Sequence, residues 1–293
     1  MVWCSGWRLA SAVSRAGGLG LIGAGSMYPD ILRENIQKCN AATDNPFGVN
    51  IPLLYPDIKQ IIDIVIEEGV KIVFTSAGNP GIWTQLLKDN GIVVVHVVSS
   101  VSFAKKAQKA GVDAVVGEGF EAGGHNGREE TTTFVLLPMI REAIDIPLIA
   151  AGGIGGGRAM LAAEVLGAQG FQVGTRFAAS EESSAHENFK KRVTELQEGD
   201  TILTLKQLTP VRMVKNDFFR QVQEAENTGA SKEKLIQLLG RGRSKLGIFE
   251  GNLDEGELEI GQISSMINRI QPAGDILREM WAEYQSAKKL LCS

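Results

Sequence analysis

Cysteine, histidine and aromatic side chains are scarce in this chain, and no stretch of it is strongly charged or long and apolar. Of 293 residues only three are cysteine (Cys4, Cys39, Cys292), three are histidine and 6% are aromatic. Three thiols far apart make no disulfide framework, and free thiols suit a reducing compartment. Neither CxxC nor HExxH occurs, so no metal site is expected. The net charge is −4 with 22% charged residues, and no block of like charge suggests an arm for nucleic acid. The longest apolar run, "GIVVVHVVSSV" at 91–101, is well short of the roughly 18–20 residues that cross a bilayer. The opening residues lack the basic and apolar regions of a signal peptide. These exclusions lead us to expect a soluble, cytoplasmic protein with neither membrane nor nucleic acid as a partner.

What the chain has in excess is glycine, 34 residues, many placed just after apolar runs. Seven short β-branched segments recur: 18–25, 47–53, 71–78, 91–98, 113–120, 146–153 and 170–177. Between them lie stretches with apolar spacing of three and four, as helices require. Strict alternation implies parallel strands with right-handed crossovers, and strands apolar on both faces are buried on both sides. A (β/α)8 TIM barrel needs eight strands, whereas seven are visible and the chain opens on a helix. The expectation is therefore an α/β TIM barrel over 1–179 whose first strand lies upstream of Met1. A doubly wound open sheet competes, but it would want one glycine fingerprint rather than glycine after nearly every strand. Residues 180–265 read as an inserted helical cap, and 266–293 as a closing segment whose helix packs on the barrel.

In such a barrel the chemistry sits at the C-terminal ends of the strands. The loop "AAGGIGGGR" (150–158) and the turn "GTRF" (174–177) are the two expected to hold a phosphate. There glycine amides can approach an anion and a helix start adds partial positive charge. Lysine is missing from every strand end, which argues against Schiff-base chemistry. What remains are neutral groups (Asn50, Ser76, Asn79, Gln172, Thr175), one acid, Glu118, and one base, His125. Amides and hydroxyls in a ring suit a flat heterocycle such as a flavin, which brings its own redox chemistry. His125 sits in "EAGGHNG" between Gly123-Gly124 and Asn126-Gly127, open to a ligand. A non-redox phosphate-binding barrel and a barrel that only binds are the competing classes.

The strings "AGGLGLIGAG", "FGVNI", "EGFEAGGHNG", "IAAGGI" and "QVGTRF", in that order, resemble the nitronate monooxygenase (2-nitropropane dioxygenase) family. They are as similar to its relative, the flavin-dependent type II enoyl-acyl-carrier-protein reductase. The resemblance implies an FMN flavoprotein, an oxidoreductase. It implies Asn50, Ser76, Glu118 and Gln172 along the isoalloxazine or ribityl chain, and Gly152, Gly153, Gly174 and Thr175 at the phosphate. Met1 and Gln262 would lie near the ring, Gly124 would leave space for it, and His125 would be catalytic. Nitronate oxidation with O2 is the first expectation. Enoyl reduction, with NAD(P)H as co-substrate and acyl carrier protein as partner, is the alternative. A homodimer is compatible with either.

The other conspicuous residues point to bland roles. His96 is equally readable as a satisfied residue inside the barrel or as a substrate contact. His186 is expected to order the start of the cap. Trp3, Trp7 and Trp83 read as packing, and Arg241, Arg243 and Lys245 as a solvated loop or a docking patch.

Overall fold

The computed structural model describes residues 1–292. Helix α1 (Trp7–Arg15) precedes β1 (Gly20–Gly23). There follow α2 (Pro29–Ala42), β2 (Phe47–Pro52), α3 (Ile58–Glu67), β3 (Ile72–Ser76), α4 (Thr84–Asp89), β4 (Val93–Val98), α5 (Val101–Lys109) and β5 (Ala114–Glu118). A two-residue strand β6 (Gly124–His125) then leads to α6 (Thr133–Arg141), β7 (Leu148–Ala151), α7 (Gly157–Val165) and β8 (Gly170–Gln172). Seven of the strands pair in parallel in the order β1-β2-β3-β4-β5-β7-β8, the curled sheet of a βα barrel. All seven lie in the segments that the alternating pattern predicts.

Side-chain parity explains the double burial of the strands. Ile22, Val49, Val73, Val94, Val98, Val115 and Leu148 face the helices in the main core. The alternate residues Phe74, Val95, Val116 and Ala151, with Leu21, Ile72, Val97 and Ile149, pack inside the barrel. Full burial of each such aliphatic side chain is worth about 1.5–3 kcal/mol. Parity also corrects the reading of His96. It shares the face of Val94 and Val98, so it points at the helix layer and neither fills the barrel interior nor meets a substrate there. Its Nδ1 lies 2.7 Å from Thr75 Oγ1, and burial pushes its imidazole down to about 4.

Among the described residues β1 and β8 share no ladder, so the barrel has an open seam. The free edge of β1 is met by the segment before α1. Ser5 accepts at its carbonyl from Gly23 N at 2.8 Å, and its hydroxyl donates to Leu21 O at 2.5 Å. Cys4 in turn accepts from Ser184 N at 3.0 Å, which fastens this edge to the far half of the chain. Cys4 and Cys39 are buried free thiols, pushed by burial up to about 12 and about 11. The side chain of Cys292 lies outside the described residues.

Beyond β8 the chain continues as α8 (Thr175–Ala178), α9 (Glu187–Glu195), β9 (Thr201–Thr204), β10 (Val211–Val214), α10 (Asp217–Asn227), α11 (Lys232–Leu239) and α12 (Ala273–Cys292). The expectation of a purely helical cap over 180–265 is corrected here. "TILT" and "VRMV" form an antiparallel hairpin, and β10 also pairs with β6, making a three-stranded sheet. The polar loop between them and strands of only four residues hide the alternation. All four residues of β10 are nonetheless buried. His186 does order the start of α9, its Nδ1 accepting from Asn188 N at 3.1 Å. Trp3 packs on Phe249 with ring centroids 5.7 Å apart, while Trp7 and Trp83 pack against the main core. In the basic run, Arg243 pairs with Glu255 and Lys245 with Glu250. Helix α12 packs on α7 and α1. No helix among the described residues is long and apolar enough to cross a membrane.

A second core joins the late segments to the barrel mouth: Cys4, Phe189, Val193, Val214, Ile248, Leu258, Ile260 and Ile263 are among its members. Phe189 is fully buried there. Phe189→Ala is expected to cost about 3–5 kcal/mol, read as a lower midpoint in urea unfolding. A loss below about 1 kcal/mol would mean that this cluster does not hold the cap.

Candidate active site at the barrel mouth

Strand parity gathers the polar residues at one end of the barrel. Asn50 is level with Gly23, Pro52 with Ser76, Glu118 with Ala151, and Ala151 with Gln172. By parity Asn50, Ser76, Glu118 and Gln172 therefore all project inward, above the apolar floor of Phe74, Val95 and Val116. The Glu118 carboxyl has no hydrogen-bond partner among the described residues, and burial pushes it up to about 7. Gln172 Oε1 is buried and also without a partner. A buried amide oxygen left unpaired costs about 1–3 kcal/mol, so this atom signals a ligand that donates to it.

The loops above supply a second set of groups. Gly152 and Gly153 both have positive φ, 83° and 72°, which glycine alone takes without strain. Among the described residues no protein acceptor meets the amides of Gly153 and Gly174. Thr175 Oγ1 accepts from Gly261 N at 3.0 Å, so its own proton remains free to donate. Met1 reaches the same place: its Sδ lies 3.7 Å from the position of a Cβ on Gly174. The expected help from the start of α7 is not available. Glu283 accepts from Gly157 N at 2.6 Å, so a carboxylate of α12 already caps that helix. The cleft of about 600 Å³ behind the loop is lined by Arg158, Arg176 and Arg269, which are matched by Glu279 and Glu283.

One wall of the mouth is a backbone crossing. The segment 258–262 returns between two barrel loops, with Gln262 N donating to Glu121 O at 3.0 Å. At Gly123 any Cβ would fall 2.4 Å from Ile260 C, so the glycine permits the crossing. Glu121 in turn holds the start of α6, accepting from Thr133 N at 3.0 Å and Thr133 Oγ1 at 2.9 Å. His125 is exposed on the lip, in β6, opposite Val211. Gln262 is exposed at the start of a 3-10 turn. Strand register and the returning segment bring most of the expected residues to one end of the barrel, whereas Asn79 is exposed and caps a 3-10 turn, accepting from Gly81 N at 3.3 Å.

The chain matches the nitronate monooxygenase family model over residues 1–65 and 55–283. The chain belongs to the nitronate monooxygenase family. Its fold is that of FabK from Thermotoga maritima, at 41% identity and a TM-score of 0.94 over 99% of this chain and 92% of that one. Nitroalkane oxidase from Streptomyces ansochromogenes superposes at 27% identity and a TM-score of 0.86, over 98% of this chain and 94% of that one. An octahydro-indene-carboxyl-CoA dehydrogenase of Rhodococcus jostii is 30% identical over 94% of this chain and 88% of its own. These relatives are oxidoreductases, and this member of the nitronate monooxygenase family is one too.

Four residues of the mouth escape a reading by motif. Arg212 is buried, donates to Phe120 O at 3.0 Å and lies 4.4 Å over the Phe120 ring. Tyr55 stands on the loop after β2, its phenol pushed up by burial and secondarily by Glu259. Glu257 and Glu259 alternate with Leu258 and Ile260, which enter the second core. The sequence signal is "GELEIGQ", a two-residue period with acids on one face. Burial and the neighbouring Glu259 push Glu257 up to about 8.

Glu118 makes stability depend on pH. Its folded value of about 7 exceeds the ordinary 4.5, so folding takes up a proton within that window and stability falls as pH rises through it. Glu118→Gln is expected to raise the thermal midpoint at pH 8, on the order of 2–4 °C per kcal/mol recovered, and to leave it unchanged at pH 4. An equal shift at both pH values would contradict this.

Proposed function

We propose that this chain is an FMN-dependent oxidoreductase that reduces an enoyl thioester at the expense of NAD(P)H. The observation that carries the cofactor is the inward ring of Asn50, Ser76, Glu118 and Gln172, with Gln172 Oε1 lacking a partner. These groups fit a flat heterocycle with several donors and acceptors. Gly152, Gly153, Gly174 and Thr175 would hold its phosphate through amides and one hydroxyl. Met1, Gly124 and Gln262 would border the ring. FMN, when bound, supplies the hydride chemistry that no side chain here can provide.

His125 would meet the substrate. An exposed imidazole on the lip can donate a hydrogen bond to a thioester carbonyl and polarise it. The thioester is favoured by the 41% identity to FabK, an enoyl-acyl-carrier-protein reductase II, and by the relative named for a carboxyl-CoA substrate. Acyl carrier protein would then deliver the substrate. Nitronate oxidation is the second reading, favoured by the family model and by the nitroalkane oxidase likeness; there His125 would take the proton from a nitroalkane.

The visible spectrum of the purified protein, before and after addition of FMN, is expected to show flavin bands at roughly 370 and 450 nm. A colourless protein that stays colourless would remove the proposal. With flavin present, NAD(P)H oxidation driven by a crotonyl thioester is expected to exceed oxygen uptake with an aliphatic nitronate. His125→Ala is expected to lower kcat/KM about 10²–10⁴-fold while the flavin bands persist.

A further inference from the structure

We propose that the outer faces of α5 and α6 are a dimer interface, on which a second copy of this chain docks with its own α6 against α5. The surface lies on the outside of the barrel and is independent of the reaction at the mouth.

These two helices differ from others of the barrel in what they show to solvent. Phe103 on α5 and Phe134, Val135 and Met139 on α6 are exposed, Phe134 at 70%. Helices α2 and α3 expose a single large apolar side chain between them, Ile31. The inner faces of α5 and α6 already fill the main core, with Ala104 and Ala107 from one and Leu136, Leu137 and Ile140 from the other. The outer apolar residues face away from that core. The helices lie side by side, so these residues gather on one flank, and an apolar patch on a protein surface marks a contact with another molecule.

The charges around the patch say which molecule. Both helices follow strands of one parallel sheet and run the same way. Gln108 Oε1 accepts from Asp145 N at 2.7 Å, which sets their C-terminal ends level. Phe103, Phe134 and Val135 thus stand in the first turns, and charge of opposite sign gathers towards the far ends. Lys105, Lys106 and Lys109 lie on α5, Glu142 and Asp145 just after α6, and all five are exposed. Lys88 of α4 pairs with Asp113 at 2.7 Å, but among the described residues no salt bridge engages any of these five. An acid at the C-terminal end of a helix is disfavoured by the helix dipole, so Glu142 and Asp145 call for a cation that their own chain does not bring.

A two-fold axis running between the helices and along them answers both features. It sets α5 of each copy on α6 of the other at the same height, as a self-complementary interface requires. Apolar residues then meet in the first turns, and lysines meet acids at the ends. An axis across the helices would instead set lysine on lysine. A partner of a single charge sign would be repelled by half of this face.

The test is the mass in solution, by sedimentation equilibrium at about 20 μM, a concentration at which a dimer of micromolar Kd is largely formed. Wild type is expected at twice the 31.5 kDa of one chain. Lys105→Glu with Lys109→Glu sets acid on acid at both contacts, and Glu142→Lys with Asp145→Lys sets base on base. Each variant alone is expected to dissociate at least about tenfold more readily. An equal mixture of the two is expected to recover the dimer, since both of its contacts again join acid to base. Phe134→Asp is expected to give a monomer with unchanged far-UV circular dichroism. A monomeric wild type overturns the proposal, including one whose α5 lysines bind an acidic protein. So does a dimer that both charge variants leave intact, or a mixture that stays monomeric.

Discussion

The crossing of segment 258–262 with the 121–124 loop is the contact on which the active face depends. Without a side chain at Gly123 the two backbones meet directly, and Gln262 N and Gly261 N fasten the returning chain to Glu121 and Thr175. One strand of backbone thereby touches three parts of the mouth at once. It braces the loop that carries His125, donates from Gly261 N to the hydroxyl of Thr175, and presents Glu259 and Gln262 at the lip. Glu121 extends the same linkage to the start of α6. A disturbance anywhere in this knot would be felt at the turn of Gly174 and Thr175, at His125 and at the lip together.

Electrostatics divide the mouth into two regions. Around the glycine turns, the amides of Gly153 and Gly174 meet no protein acceptor among the described residues. Along the inner wall and the returning segment, carboxyls with raised affinity for protons make a place where negative charge is costly. The apolar floor of Phe74, Val95 and Val116 separates both from the body of the barrel. The FMN and the uncharged thioester of the proposed function would suit this division.

Much of this was legible in the residues. The short apolar, β-branched runs such as "KIVFTSAG" and the glycines that end them marked the parallel strands and their functional ends, because double burial leaves an apolar signature and close approach leaves glycine. His125 stood out for the same reason. Three things were not legible. The face of His96 depends on parity within a strand that is apolar on both sides, so the sequence offers no contrast. The hairpin of "TILT" and "VRMV" is too short to show a period and is buried by contacts from distant β6. Glu259 reaches the mouth through a bridge to Met213 and the absence of a side chain at Gly124, and neither is local.

The seam beside β1 has a consequence for how the chain must come to be folded. The edge of β1 is satisfied by Ser5, and the strand of chain that holds Ser5 is itself anchored by Ser183 and Ser184, some 180 positions later. During synthesis at about 5–20 residues per second, the first-made part of the barrel therefore waits roughly ten to forty seconds for its clasp to emerge. A chaperone or an arrested ribosome would meet this edge bare during that interval, and a truncated product ending before Ser183 would keep it bare for good.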